Sequence, residues 1–181
     1  MISIRPNVIK FNESLISELE RGTKIDLVRE YIDFLRKYNG GIPEPNIVVL
    51  DKEEIKSFSV TSFFGVGLES YDDLVTQYNL FKHRIPEGCL PIARVEGGNI
   101  VCICLLPERY GFIYLWDHDV ELLYDKPSAF EHLIPIAKSF EEFLNRLTPY
   151  NPEEENLVDY KVEEVWIDPD FLKKLEDGSK D

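Results

Sequence analysis

The sequence predicts an α+β domain: a single antiparallel-rich sheet with helices packed mainly on one face. Three observations predict it. Apolar residues recur at helical spacing over 26–38. Three short apolar runs, 90–95, 100–106 and 112–116, are separated by turn residues, the pattern of an antiparallel meander. A helix-start signature at Ser139 follows, so helices lie at both ends of the strand run.

Taken in order, Asn12 can cap a first short helix whose Leu15, Ile16 and Leu19 share a face, with Gly22 interrupting it. The next helix, 26–38, carries Leu27, Val28, Tyr31, Ile32, Phe34, Leu35 and Tyr38. Asn39-Gly40-Gly41 stops it, because Asn and Gly supply the left-handed conformation of a helix C-terminus, and Pro43 and Pro45 prevent resumption. Residues 47–50 read as a buried strand, and 51–54 as a helical turn. The β-branched and aromatic mixture over 57–67 predicts another strand. Ser70, Asp72 and Asp73 open a helix running to about His83, acidic residues suiting the positive end of its dipole. Pro86-Glu87-Gly88 is a turn into the three-run meander, whose connections are Gly97-Gly98-Asn99 and 107–111.

Ser139-Phe140-Glu141-Glu142 has the form of a capping box, opening a helix lined by Phe140, Phe143, Leu144 and Leu147. Pro149 and Pro152 mark a boundary. The expected organisation is one domain over 1–147 and an acidic extension over 148–181. That extension holds 11 acidic and 4 basic residues, a net of −7. Val162, Val165, Trp166 and Ile167 give it packing anchors, and Asp168-Pro169 starts a short helix, so it is expected to dock on the domain.

Bulk composition narrows the function. At 181 residues, 44% hydrophobic and 30% charged, the chain is globular and sized for one core. No apolar run approaches the roughly 18–20 residues of a membrane-spanning helix, and the N-terminus lacks a secretory pattern. Cys102 and Cys104 alternate within an apolar run, which suits small core residues better than a disulfide framework, so the expected compartment is the reducing cytoplasm. The net charge of −14 and pI near 4.7 repel nucleic acid and attract a basic partner. Solubility alone also accounts for an acidic surface.

Catalytic signatures are absent: no G-x-S-x-G, phosphate-binding loop, dinucleotide glycine pattern or zinc-cluster cysteine spacing. Trp116-Asp117-His118-Asp119 is the one enzymatic candidate, since His-Asp pairs serve metal-dependent phosphohydrolases. Those enzymes are helical and take further ligands from other helices, whereas this pair ends a strand. A turn in which Asp and His bond local backbone is the competing reading. Trp116 and Trp166 end apolar runs and read as core anchors. Gly97-Gly98-Asn99 could cradle an anion but reads as a hairpin turn. No catalytic residue, metal site or cofactor is expected. Four acidic clusters remain: Glu69, Asp72 and Asp73; Asp117, Asp119 and Glu121; Glu153 to Glu155; Glu163 and Glu164. Each could be an ordinary solvated face. Together they offer carboxylates for charge-assisted pairing with a cationic protein.

Three pieces, in order, resemble the SUKH superfamily, which includes Smi/Knr-type cell-wall regulators of yeast and many bacterial immunity proteins. The helix ending Phe34-Leu35-Arg36-Lys37-Tyr38-Asn39-Gly40-Gly41 is similar to its first helix and stop. Leu90-Pro91-Ile92-Ala93-Arg94, Gly97-Gly98-Asn99, Ile103, Gly111 and Trp116-Asp117-His118 are similar to its strand core. Ala137-Lys138-Ser139-Phe140-Glu141-Glu142-Phe143-Leu144 is similar to its closing helix. Coverage is about 13–147. The Val95-Glu96-Gly97 turn and the 148–181 extension depart from the pattern.

The resemblance implies a non-catalytic protein-binding domain. Bacterial members of the superfamily are typically encoded beside polymorphic toxins, often nucleases, and inactivate them by binding. The expected function is therefore an immunity protein for a cognate basic toxin, with Asp72, Asp73, Asp117, Asp119 and Glu121 as contacts and neither nucleic acid nor membrane as partner. The alternatives are a regulatory scaffold of the Smi/Knr type and a metal-dependent hydrolase using Asp117, His118 and Asp119.

Overall fold

A computed structural model describes residues 2–23, 26–50, 57–119 and 129–151. The chain divides into two units, Met1–Tyr150 and Asn151–Asp181, and nearly all described residues fall in the first. The turn expected at 51–54, Glu121, and the anchors and final helix of the C-terminal extension lie outside the described residues. Among the described residues no helix is long and apolar enough to cross a membrane.

The core is a seven-stranded, wholly antiparallel sheet. Its strands are β3 (Ile47–Val49), β4 (Ser57–Phe63), β5 (Cys89–Val95), β6 (Ile100–Cys104), β7 (Ile113–Trp116), β8 (Ile134–Ala137) and β9 (Leu147–Thr148), in the order β8-β7-β6-β5-β4-β3-β9. Strands β3 to β8 form a meander, and the chain then returns to lay β9 beside β3. Register shifts in the β4–β5, β5–β6 and β7–β8 pairs bend the strands and curl the sheet. A two-stranded sheet, β1 (Ser3–Arg5) with β2 (Ile42–Glu44), accompanies it.

Four helices are described: α1 (Glu13–Thr23), α2 (Arg29–Tyr38), α3 (Leu74–Phe81) and α4 (Phe140–Asn145). Directly opposed residues of an antiparallel sheet share a face. One face therefore carries the row Phe63, Ala93, Val101, Leu115, and the other carries Ser62, Arg94, Ile100, Trp116. Helices α2 and α4 cover the first. Phe34 of α2 lies 4.9 Å from Phe63 and 5.1 Å from Phe140 of α4, ring centre to ring centre. Edge-on packing of this kind suits aromatic quadrupoles. Helix α3 takes the other face, where Phe81 meets Trp116 at 5.5 Å. The central strands are consequently buried on both sides, as the continuous apolar runs require.

Several boundaries differ from the sequence expectation. Helix α2 starts at Arg29, not Asp26, because Leu27 and Val28 are buried in extended backbone. The Leu27 amide donates to Glu20 and the Tyr110 hydroxyl lies 3.0 Å from the Leu27 carbonyl, so that backbone is satisfied without a helical turn. Helix α1 runs through Gly22 to Thr23. Helix α3 stops at Phe81, and Arg84 closes a turn onto its carbonyl. Leu147 leaves the last helix and pairs with Val48. In the capping box, Ser139 accepts the Glu142 amide, while the Glu142 carboxylate takes the amide of Lys138.

The Asn39-Gly40-Gly41 stop is a junction. Asn39 has φ 48 and is 2% exposed. Its side-chain amide donates to the carbonyls of Ile9 and Val66, and its oxygen accepts the Val66 amide at 2.8 Å. A Cβ at Gly40 would sit 2.7 Å from the Phe63 carbonyl oxygen, and one at Gly41 would sit 2.2 Å from that of Arg5. The chain packs backbone against backbone here, and only glycine fits.

Candidate partner-binding surface

The β5–β6 hairpin ends in a tight turn at Glu96–Gly98, where Gly97 and Gly98 both have positive φ. Strand register carries this level across the sheet, since Ser62 faces Arg94, Arg94 faces Ile100 and Ile100 faces Trp116. The three gaps span about 14 Å. Residues that follow Trp116 in the chain and residues held by Ser62 therefore flank one hairpin turn.

Asn99 fixes the segment after β7. Its side-chain oxygen accepts the His118 backbone amide at 3.1 Å and lies 2.8 Å from His118 Nδ1. The backbone donor identifies that atom as the acceptor, so Nδ1 carries a proton toward it. Asp117 Oδ1 accepts the Asp119 amide at 3.1 Å, closing a local turn. The Asp119 carboxylate lies 3.3 Å from His118 Nε2 and stays largely exposed. On the other side of the hairpin turn, Glu96 accepts the Ser59 hydroxyl at 2.8 Å. Asp117, Asp119 and Glu96 are thus three carboxylates held at one end of the sheet.

The second expected cluster divides. Asp72 accepts the Ser62 hydroxyl at 3.2 Å and lies 3.7 Å from the Arg94 guanidinium, with its side chain 39% exposed. Asp73 turns inward. Its carboxylate accepts the Gly67 amide, the Thr76 amide and the Thr76 hydroxyl, each at 2.9 Å, so it caps α3 and staples the preceding loop. Arg94 donates to the Tyr71 carbonyl and its guanidinium lies 3.3 Å from the Tyr71 ring centre. Tyr71 itself is 68% exposed.

Sequence reasoning names Asp72, Asp117 and Asp119 as candidate contacts without placing them on one face, and it misses Glu96 and Tyr71. Glu96 looks like an ordinary hairpin residue until the register sets it beside Ser59. Tyr71 stands between the Ser70 and Asp72 of the expected helix start, and a tyrosine beside carboxylates carries a signal of its own, because aromatic residues anchor interfaces.

The ligand-type atoms of Asp117, His118 and Asp119 lie within 4.8 Å of one another. All three come from one turn, and among the described residues no His, Cys, Asp or Glu of another element joins that group. What the turn offers chemically is a rigid display of acceptors for arginine and lysine side chains. Elsewhere, a groove of about 710 Å³ runs along β8, lined by Arg109, Phe130, Lys138 and Glu142 among others, and none of the expected contacts among the described residues lines it.

Comparison with known proteins agrees with this architecture. The model of the SMI1 / KNR4 family (SUKH-1) matches residues 10–146. The SPbeta prophage-derived uncharacterized protein YokK of Bacillus subtilis (strain 168) is 31% identical over 179 aligned residues, covering 91% of this chain and 88% of the relative. The family match runs from just before α1 to the end of α4, taking in the Asn-Gly-Gly junction, the hairpin and the capped closing helix. On that evidence the chain belongs to the SMI1/KNR4 (SUKH-1) family.

Proposed function

We propose that this chain is an immunity protein of the cytoplasm, which neutralises a cognate protein toxin by binding it and performs no chemistry of its own. Membership of a family typical of immunity proteins supports the class of function. The observation that carries the mode of action is the hairpin end, where Glu96, Asp117 and Asp119 are held as surface acceptors. The reading is that these carboxylates, with Asp72 at the margin, meet a basic surface such as the substrate groove of a nuclease. Tyr71 supplies an aromatic anchor beside them. Asp73 is removed from the expected contact set, because its oxygens are already taken up inside the fold, and Glu121 stays in it as a residue of the same segment.

The net charge of −14 adds long-range attraction to such a partner and speeds encounter. The test is to co-express the chain with the product of the adjacent gene. Rescue of growth together with co-purification is expected. Growth arrest that the chain does not relieve, or rescue without any complex, would contradict neutralisation by binding.

A further inference from the structure

The cysteines play no part in the surface just described, yet two of them are placed for chemistry. Cys89 opens β5 and Cys104 ends β6, and the two are directly opposed in the register. The Cys104 amide donates to the Phe112 carbonyl at 2.8 Å, and its carbonyl accepts the Gly111 amide at 2.8 Å, so both groups face β7. The Cys89 amide turns to the Pro86 carbonyl at 3.1 Å. The pair therefore exchanges no ladder hydrogen bond. Opposed residues of this type have Cα atoms about 4.5 Å apart with side chains on one face, inside the roughly 4.4–6.8 Å that a disulfide spans. Both thiols are free.

We propose that Cys89 and Cys104 form an oxidisable dithiol site, which hydrogen peroxide converts into an intramolecular disulfide across the open end of the β5–β6 hairpin. The roles of the two sulfurs differ. A hydrogen bond from Cys89, aided by the Leu106 amide and the Arg109 guanidinium, outweighs burial and lowers the Cys104 thiol to about 7. The same hydrogen bond and burial raise Cys89. Burial raises Cys102, which lies on the same face two residues before Cys104. Cys104 is the nucleophile, because the thiolate is the reactive form.

The step balances. The Cys104 thiolate attacks one peroxide oxygen, the O–O bond breaks, and hydroxide leaves while Cys104 becomes a sulfenic acid. The Cys89 sulfur then attacks the Cys104 sulfur, the S–O bond breaks and the S–S bond forms. Two thiols lose two electrons and two protons, and one peroxide becomes two waters. With Cys89 4% exposed and Cys104 fully buried, oxidation goes through local opening of the strand ends, which favours an oxidant as small as hydrogen peroxide over a bulky disulfide such as oxidised glutathione. The six residue steps from Cys89 to Val95 put the site about 20 Å along the strand from the hairpin turn, so oxidation leaves the acidic end in place. The inference is independent of the proposed function.

The experiment treats the full chain with hydrogen peroxide and, separately, with oxidised glutathione, then reads intact mass and non-reduced peptide maps. The expected result with peroxide is a mass lower by two hydrogen atoms, a single Cys89–Cys104 cross-linked peptide and a raised Tm. Oxidised glutathione should leave the mass unchanged. C102S should behave like the parent chain, and C89S should stop at a sulfenic acid on Cys104, a mass higher by one oxygen that dimedone traps once the oxidised chain is denatured. A bridge involving Cys102, accumulation of oxygenated thiols without a bridge in the parent chain, or no change in mass would overturn the proposal. The peptide map of the parent chain decides the matter even if a variant fails to fold.

Discussion

Two asparagines hold turns in this molecule, and they hold them for different ends. Asn39 is buried, spends its side chain on three backbone groups from Ile9 and Val66, and locks the exit of α2 onto the loop after β4. Asn99 is half-buried at the foot of the hairpin turn and uses one oxygen to fix His118, and with it the two flanking aspartates. The first joint serves the fold and the second serves the surface. Breaking a buried polar junction leaves unsatisfied backbone groups, whereas water can reach and replace the partners of a half-buried one at less cost. The two ends of the molecule should therefore separate cleanly under mutation.

The largest effect is expected at Asn39. Asn39→Ala strands the Val66 amide and carbonyl in the interior, also frees the part-buried Ile9 carbonyl, and should cost about 3 kcal/mol of unfolding free energy, read by urea denaturation. Asp73→Ala removes the cap of α3 and should cost about 1–2 kcal/mol, without slowing association with the partner. Had Asp73 been a contact, the order of those two effects would reverse. Asn99→Ala should change stability by about 0.5 kcal/mol or less and weaken binding through the released Asp117–Asp119 turn.

The smallest effect concerns pH. The Glu142 carboxyl is held below its ordinary value, first by the Lys138 amide and then by Arg146. Its folded value is depressed, so its contribution is present above the ordinary carboxyl range and is lost as pH falls through the lower folded value. Glu142→Gln should lower Tm slightly at neutral pH and flatten the acid limb, so that the two Tm-against-pH curves converge at low pH.

The strands and helices that were legible in the sequence owe it to strong local signals. Turn glycines precede β5, β6 and β7, and the Ser139 hydroxyl and the left-handed turn at Asn39 act within a few residues of themselves. What stayed hidden is set by distant partners. Strands β1, β2, β8 and β9 have two to four residues each, too few for a period, and exist because another strand lies beside them. The placement of α3 on the face opposite α2 and α4 follows from register, which the apolar runs do not encode. At the candidate surface, Asp117 and Asp119 were legible as a local cluster. Glu96 and Tyr71 came into view only through Ser59 and Arg94, and the inward turn of Asp73 depends on amides of a loop that the sequence alone does not fold.

The central claim is that partner capture runs through the carboxylates at the hairpin end. The most direct measurement is the association rate of the parent chain and of Asp117→Lys/Asp119→Lys with the adjacent gene's product, at low and high salt. The expected result is at least about a tenfold slower association for the charge-reversed chain, most marked at low salt, with its urea midpoint retained. Equal rates for both chains at both salt concentrations would contradict the account.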